Sequence, residues 1–323
     1  MQKRHWADIG EIGSAWGIAA LVAIFRIVGA PLLRVVLYPV VTYFFLRSRV
    51  AREASREYLA QLAAFSPRAG VAPSLGTSFR HFMAFASSLV DRVAAWTGRI
   101  ELDDLTLSGH EALMSTIESG RGALLLGAHL GNLEVSRALS RLRPHVRLNV
   151  IMHTRNAERF NAMLRKVSGD ASLTLIEASE ITPGVAIRLQ HKLASGELVV
   201  IAGDRVPLDS SRISRVAFLG REAAFPQGPI VLAALLKCPV FLLFCIKEPQ
   251  GYHLHCDPFA ERVQLDRRGR DASIDRYVQR YAQQLERYCV ASPLQWFNFY
   301  PFWVSPAPAA ATDGALATTG RSS

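Results

Sequence analysis

Apolar residues fall along this chain in two regimes. Over residues 15–46 they are dense: Ala15–Phe25 and Val35–Leu46 are apolar stretches, separated by a segment carrying Arg26, Pro31 and Arg34, with Pro39 interrupting the second. From about residue 100 the pattern changes to short apolar runs alternating with longer amphipathic ones. Ala123–Leu126, Arg147–Met152, Leu173–Ile176, Leu198–Ala202 and Pro239–Ile246 have the length and composition of buried strands. Helices are expected between them, near 132–142, 157–167, 184–195, 228–237 and 273–290. This alternation predicts an α/β fold, a mostly parallel sheet flanked by helices. Tyr252–Cys256 is placed to pair back on the preceding strand, which makes the sheet mixed. Residues 50–97 read as helical, with a Pro/Gly-marked break between Pro67 and Gly76. The segment after Val304 is mostly Ala, Pro, Thr, Gly and Ser, and predicts a disordered tail. The expected division is therefore a membrane-associated helical segment over 1–50, an α/β domain over 51–303 and a tail over 304–323.

The first segment has no ideal membrane span. A span needs about 20 uninterrupted apolar residues, and arginine at the bilayer centre is expensive. A helical hairpin or oblique helices partly sunk in the membrane fits better, the competing reading being a helical pair buried in a soluble core. Lys3 and Arg4 precede the segment, and Arg47, Arg49 and Arg52 follow it. Positive charge at both ends suggests that both face the cytoplasm.

Charge and cysteine content narrow the classes. The 323 residues carry a net charge of +10, and only five of the 37 basic residues are lysine. Such a surplus suits nucleic acid, anionic lipid or an acidic protein. No nucleic-acid-binding module is present, and the apolar first 50 residues favour lipid. The four cysteines (Cys238, Cys245, Cys256, Cys289) show no CxxC or zinc spacing, so they read as small buried residues in a reducing compartment. No metal or other cofactor is expected. His253 and His255 alternate on one strand face with Asp257 next in register, which reads as a solvated face.

Chemistry concentrates at Leu124-Leu125-Leu126-Gly127-Ala128-His129-Leu130-Gly131-Asn132-Leu133-Glu134. An apolar strand delivers a histidine, and a carboxylate follows five residues later. On one regular helix such a pair would stand about 140° apart. They can meet only if His129 lies in a loop and Glu134 in the first helical turn. Gly131 frees the backbone for that bend, and Asn132 suits the N-cap. Glu134 would then accept the imidazole N–H and leave the other nitrogen to take a proton. A second strand, Val199–Ala202, ends in Gly203-Asp204-Arg205. Arg205 suits a phosphate or carboxylate, with Asp204 to orient it. A third block, Phe218-Leu219-Gly220-Arg221 followed by Phe225-Pro226-Gln227-Gly228-Pro229, places a glycine before a helix, where backbone N–H groups can meet an anion or oxyanion.

Together these blocks resemble the lysophospholipid acyltransferase superfamily, most nearly its bacterial branch of lipid A late (Kdo-dependent) acyltransferases. The family's histidine, four residues, then an acidic residue is matched by His129 and Glu134. Gly203-Asp204-Arg205, the Phe218-to-Pro229 block and Pro239 resemble its later blocks in order. The aromatic end Gln295–Trp303 is similar to relatives associated with aryl polyene lipid synthesis. The resemblance implies transfer of a fatty acyl group from a thioester, on acyl carrier protein or coenzyme A, to a hydroxyl of a membrane lipid or glycolipid. In that reading His129 and Glu134 are catalytic. Asn132, Gly203, Asp204, Arg205, Phe218, Gly220, Arg221, Pro226 and Gly228 bind substrate. Arg212, Arg215 and Arg221 would meet an acidic carrier protein. A thioesterase or hydrolase using the same histidine is the alternative enzyme, although no Gly-x-Ser-x-Gly elbow is present. A non-catalytic membrane-bound binding protein is the other alternative.

Overall fold

The computed structural model describes residues 35–96, 105–132, 146–152, 173–178, 182–206 and 212–303. The first apolar stretch, the helices expected near 132–142 and 157–167, Glu134 and the tail lie outside these residues. The described chain opens with helix α1 (35–47), then α2 (Arg49–Phe65), a 3-10 turn at Pro67–Ala69 and α3 (Leu75–Trp96). The Pro/Gly break expected after Pro67 is thus present.

A seven-stranded sheet follows. Its strands are β1 (Leu105–Ser108), β2 (Leu124–Gly127), β3 (Leu148–Met152), β4 (Leu173–Glu177), β5 (Leu198–Ala202), β8 (Val240–Glu248) and β9 (Gly251–Ala260), in the order β1-β9-β8-β2-β5-β3-β4. All neighbours are parallel except β8 and β9, which form the expected antiparallel return. Helices α4 (His110–Glu118), α5 (Pro183–Ala194), α6 (Gly228–Leu236) and α7 (Arg270–Ala291) complete the α/β frame. Strands β6 (Ile213–Phe218) and β7 (Arg221–Pro226) make a separate hairpin that the apolar pattern does not announce. Each of these strands is short and carries a charged residue, so it lacks a continuous apolar run. The β6 residue Ala217 is instead gripped by the Gln279 carboxamide, which bonds its N–H and C=O at 2.9 and 3.0 Å. That covers an edge that would otherwise remain open.

The central strands are apolar on both faces because both faces are covered. Leu124 and Leu126 of β2 point into one core with α2, α5, α6 and α7, while Leu125 points into another with Leu113 of α4, Cys245 and Leu254. Helix α7 buries Ile274, Val278, Tyr281, Ala282, Leu285 and Cys289, the 3.6-residue stripe of a helix lying on a sheet. All four cysteines are buried and free. Thr182 caps α5, accepting from the Val185 N–H at 3.3 Å, with Pro183 at the first helical position.

Helix α1 packs Val41 and Phe45 against Phe82 and Ala86 of α3. Its other side carries Val35, Val36, Tyr38, Val40, Tyr43, Phe44 and Leu46, all exposed. Among the described residues no helix is long and apolar enough to cross a membrane. Arg52 donates to the carbonyls of Phe45 and Leu46 at the end of α1, and Arg49 pairs with Glu53 at 2.7 Å. Arg52 is therefore committed to closing the helix that the sequence pattern set it beside.

Candidate functional site

Strands β2 and β5 lie side by side and parallel, Gly127 opposite Ala202. Their carboxyl ends therefore deliver His129 and Asp204 to one place, the usual position of a site in an α/β sheet. The His129 Nδ1–H donates to Asp204 Oδ1 at 2.8 Å, and the His129 backbone N–H donates to Asp204 Oδ2 at 3.0 Å. Trp296 Nε1–H donates to the same Oδ2, also at 3.0 Å. With three donors on a carboxylate that is 1% exposed, a charge too costly to bury alone becomes tolerable.

The electrostatics follow from this arrangement. Burial pushes the Asp204 carboxyl up, but the His129 charge and hydrogen bond, Arg205 and the Trp296 indole outweigh it and hold the group at about 2. Burial, then Arg205 and Arg92, push the His129 imidazole down against the opposing pull of Asp204. Because the His129 side chain keeps 34% of its surface open, water moderates that shift. The ring is thus neutral at pH 7, its proton on Nδ1 by the bond to Asp204 and its Nε2 left basic.

Two close approaches set the loop. Gly131 has φ +68°, and a Cβ there would stand 1.8 Å from the Cys245 carbonyl oxygen. Its N–H donates to the Gln295 carbonyl, and the Asn132 N–H to that of Cys245, both at 2.8 Å. A Cβ on Gly203 would meet Leu126 at 2.9 Å and the Tyr281 ring at 3.1 Å. Both the Gly203 N–H, at 3.0 Å, and the Tyr281 hydroxyl, at 2.8 Å, donate to the Gly127 carbonyl, locking the ends of β2 and β5 together.

The strap after α7 closes the site from the other side. Trp296 bridges Leu130, and the Phe297 N–H donates to the His129 carbonyl at 2.8 Å. Arg205 donates to the Phe297 carbonyl at 3.0 Å, with its guanidinium 5.9 Å from the centre of the Tyr300 ring. The aromatic segment Gln295–Trp303 buries Trp296, Phe297, Phe302 and Trp303.

His129, Gly203, Asp204 and Arg205 therefore come together at the ends of β2 and β5. Asp204 faces His129 rather than serving Arg205 alone. Phe218 joins through Trp296, ring centroids 5.2 Å apart. Asn132 is buried, and its amide donates to the Ser88 carbonyl at 3.3 Å. Gly220 sits at the hairpin turn beside Phe65 and Gln61, and Arg221 pairs with Glu57 at 3.1 Å and lies over Trp303. Pro226 is paired with Ile213, and Gly228 opens α6 at an exposed position. Arg215, like Arg221, already has a carboxylate partner, Glu222, at 3.3 Å. Missed from sequence were the Trp296 N–H and the Tyr281 hydroxyl; both come from segments more than 75 residues away in the chain, and no local spacing signals them. His253 and His255 stack at 3.9 Å, and no cluster able to hold a metal ion occurs among the described residues.

A family model described as bacterial lipid A biosynthesis acyltransferase matches residues 7–305. No curated protein matches the chain.

Proposed function

We propose a mechanism from the premise that the chain belongs to the bacterial lipid A biosynthesis acyltransferase family, and so is an O-acyltransferase acting on a lipid acceptor. His129 is the general base. The observation that carries this is the 2.8 Å bond from His129 Nδ1 to a buried Asp204, which leaves Nε2 unprotonated on a partly open ring. An alcohol becomes a competent nucleophile only as its proton leaves. Nε2 takes that proton while the acceptor oxygen bonds to the thioester carbonyl carbon. The tetrahedral intermediate collapses, the C–S bond breaks, and the imidazolium returns its proton to the departing thiolate. Asp204 fixes the tautomer and stabilises the imidazolium, the part a carboxylate plays in a Ser-His-Asp triad. Glu134, the acidic residue of the same motif, is proposed as a further acidic partner of His129.

The donor is an acyl thioester of acyl carrier protein or coenzyme A, and the acceptor a hydroxyl of a membrane glycolipid. The exposed apolar face of α1 supports work at the cytoplasmic face of the inner membrane, where a cytosolic thioester and a lipid-borne hydroxyl can both be reached. Lipid mass spectrometry of cells with and without the gene is the decisive test. Loss of one acyl chain from a glycolipid supports the reading. An unchanged lipid profile, with thioester hydrolysis by the purified protein, would replace it with a thioesterase.

A further inference from the structure

We propose that Trp296 is a positioning residue for acyl transfer, holding the Asp204–His129 pair through its indole N–H. The inference rests on His129 being the base. Asp204 Oδ2 accepts from two donors, the His129 backbone N–H and Trp296 Nε1–H, each at 3.0 Å. With Oδ2 occupied on both sides, the carboxylate cannot rotate, and Oδ1 stays aimed at Nδ1. An apolar ring of the same shape would leave a buried lone pair unmet. The indole is itself fixed, 1% exposed and wedged edge-on against Tyr58, Phe218 and Phe302 at centroid distances of 5.0, 5.2 and 4.9 Å. The backbone of its two neighbours holds the loop as well. The Gly131 N–H donates to the Gln295 carbonyl and the Phe297 N–H to the His129 carbonyl, so the residues on either side of Trp296 grip the histidine loop.

The strap is held in turn from behind. His81 Nε2–H donates to the Trp296 carbonyl at 2.9 Å, while its Nδ1 accepts from Ser55, which accepts from Ser78 at 2.8 Å. A chain of hydrogen bonds therefore runs from helices α2 and α3 through Trp296 to Asp204 and His129. No motif around His129 announces it.

The groups acting on His129 are Asp204 and Arg205 after β5 and Arg92 of α3; those acting on Asp204 include Tyr281 and Cys289 of α7 and Tyr300 of the strap. Only the indole N–H is altered in the test. Without it, more of the Asp204 charge is directed at Nδ1–H, the imidazolium is held more strongly, and the base is protonated at a higher pH.

Position 296 of the full-length protein in detergent micelles is replaced by benzothienylalanine, which puts sulfur where the N–H was and keeps the ring shape; Trp296→Phe and His129→Ala are made beside it. Turnover is read with dodecanoyl acyl carrier protein and a lipid A precursor. The His129 imidazole is titrated separately by NMR, which needs no substrate. The expected result for the isostere is a kcat about tenfold lower with little change in KM, and an acid limb and NMR midpoint both raised by about half a pH unit. A folded isostere with wild-type kcat, pH profile and midpoint overturns the role of Trp296, and decides the matter even if Trp296→Phe does not fold. Full turnover by His129→Ala would instead overturn the base assignment, and this inference with it.

Discussion

At the scale of single residues, the site depends on which nitrogen of His129 carries the proton. His129→Ala is expected to lower turnover by about 10²–10⁴-fold. Its melting temperature should fall somewhat, because the ring itself is one-third open but the buried Asp204 carboxylate loses its Nδ1–H donor. Asp204→Asn is a sharper test. The amide matches the shape of the carboxylate but provides only one acceptor oxygen for three donors, and it no longer stabilises the imidazolium. A loss as large as that of His129→Ala, about 10²-fold or more, is expected in steady-state assays, and a loss under threefold would remove Asp204 from the mechanism. The pH profile carries a sign of its own. Burial holds the His129 pKa below its usual 6.5, so the neutral base persists to lower pH and the acid limb of kcat/KM falls below pH 6.5. A limb above 6.5 would mean that Asp204 outweighs burial.

At the scale of elements, the junction of the His129 loop, α3 and the aromatic strap is where stability and function meet. His81 lies sealed between α2, α3 and the strap, and burial lowers its pKa to about 4 despite the bond to the Trp296 carbonyl. The unfolded chain binds the proton near 6.5, so the unfolded state carries more protons between pH 6.5 and 4. Stability is therefore full above 6.5 and is lost as pH falls to 4, by about 3 kcal/mol. Chemical denaturation between pH 7 and 4 should show this slope, and His81→Gln should flatten it while lowering stability at pH 7. Gly131→Ala tests the same junction sterically. A positive φ and a Cβ 1.8 Å from the Cys245 carbonyl leave no room without moving β8 or the loop. The expected outcome is loss of more than about 3 kcal/mol of stability, or failure to fold, by the same measurement.

At the scale of the whole molecule, the sheet, the strap and α1 place a polar site beside an apolar surface. The outer residues of α1 are exposed in the described structure, so their removal should not weaken the fold. Replacing Val36, Tyr43 and Leu46 together by serine is expected to lower the membrane-bound fraction about tenfold or more with little change in melting temperature. Vesicle flotation with anionic lipid measures it. Undiminished binding would move the attachment to residues before 35. Release of the wild type by high salt alone would make the attachment electrostatic.

Much of the molecule was legible in the order of its apolar and polar residues. Buried strands such as Leu124–Gly127 and Leu198–Ala202 must be apolar on both faces, and α7 must carry a stripe, so period and run length reveal them without any partner. The His129 loop was legible for the same reason: a strand end, a glycine with positive φ and a polar residue are local requirements. The β6–β7 hairpin was not, because its strands are held by Gln279 of a helix some 60 residues later rather than by their own apolarity. The partner of His129 was not either. Pairing of β2 with β5 brings Asp204, 75 residues away, to 2.8 Å, whereas Glu134, the partner that spacing suggests, lies outside the described residues. A motif records which side chains stand near one another along the chain; which lone pair faces which proton is decided by strand order and by a strap that arrives last. The amino-acid sequence by itself determined the central buried strands, the stripe of α7 and the place of His129 after a strand end. Only the tertiary structure decided that Asp204 and Trp296 meet beside His129, because those contacts join segments that share no local pattern.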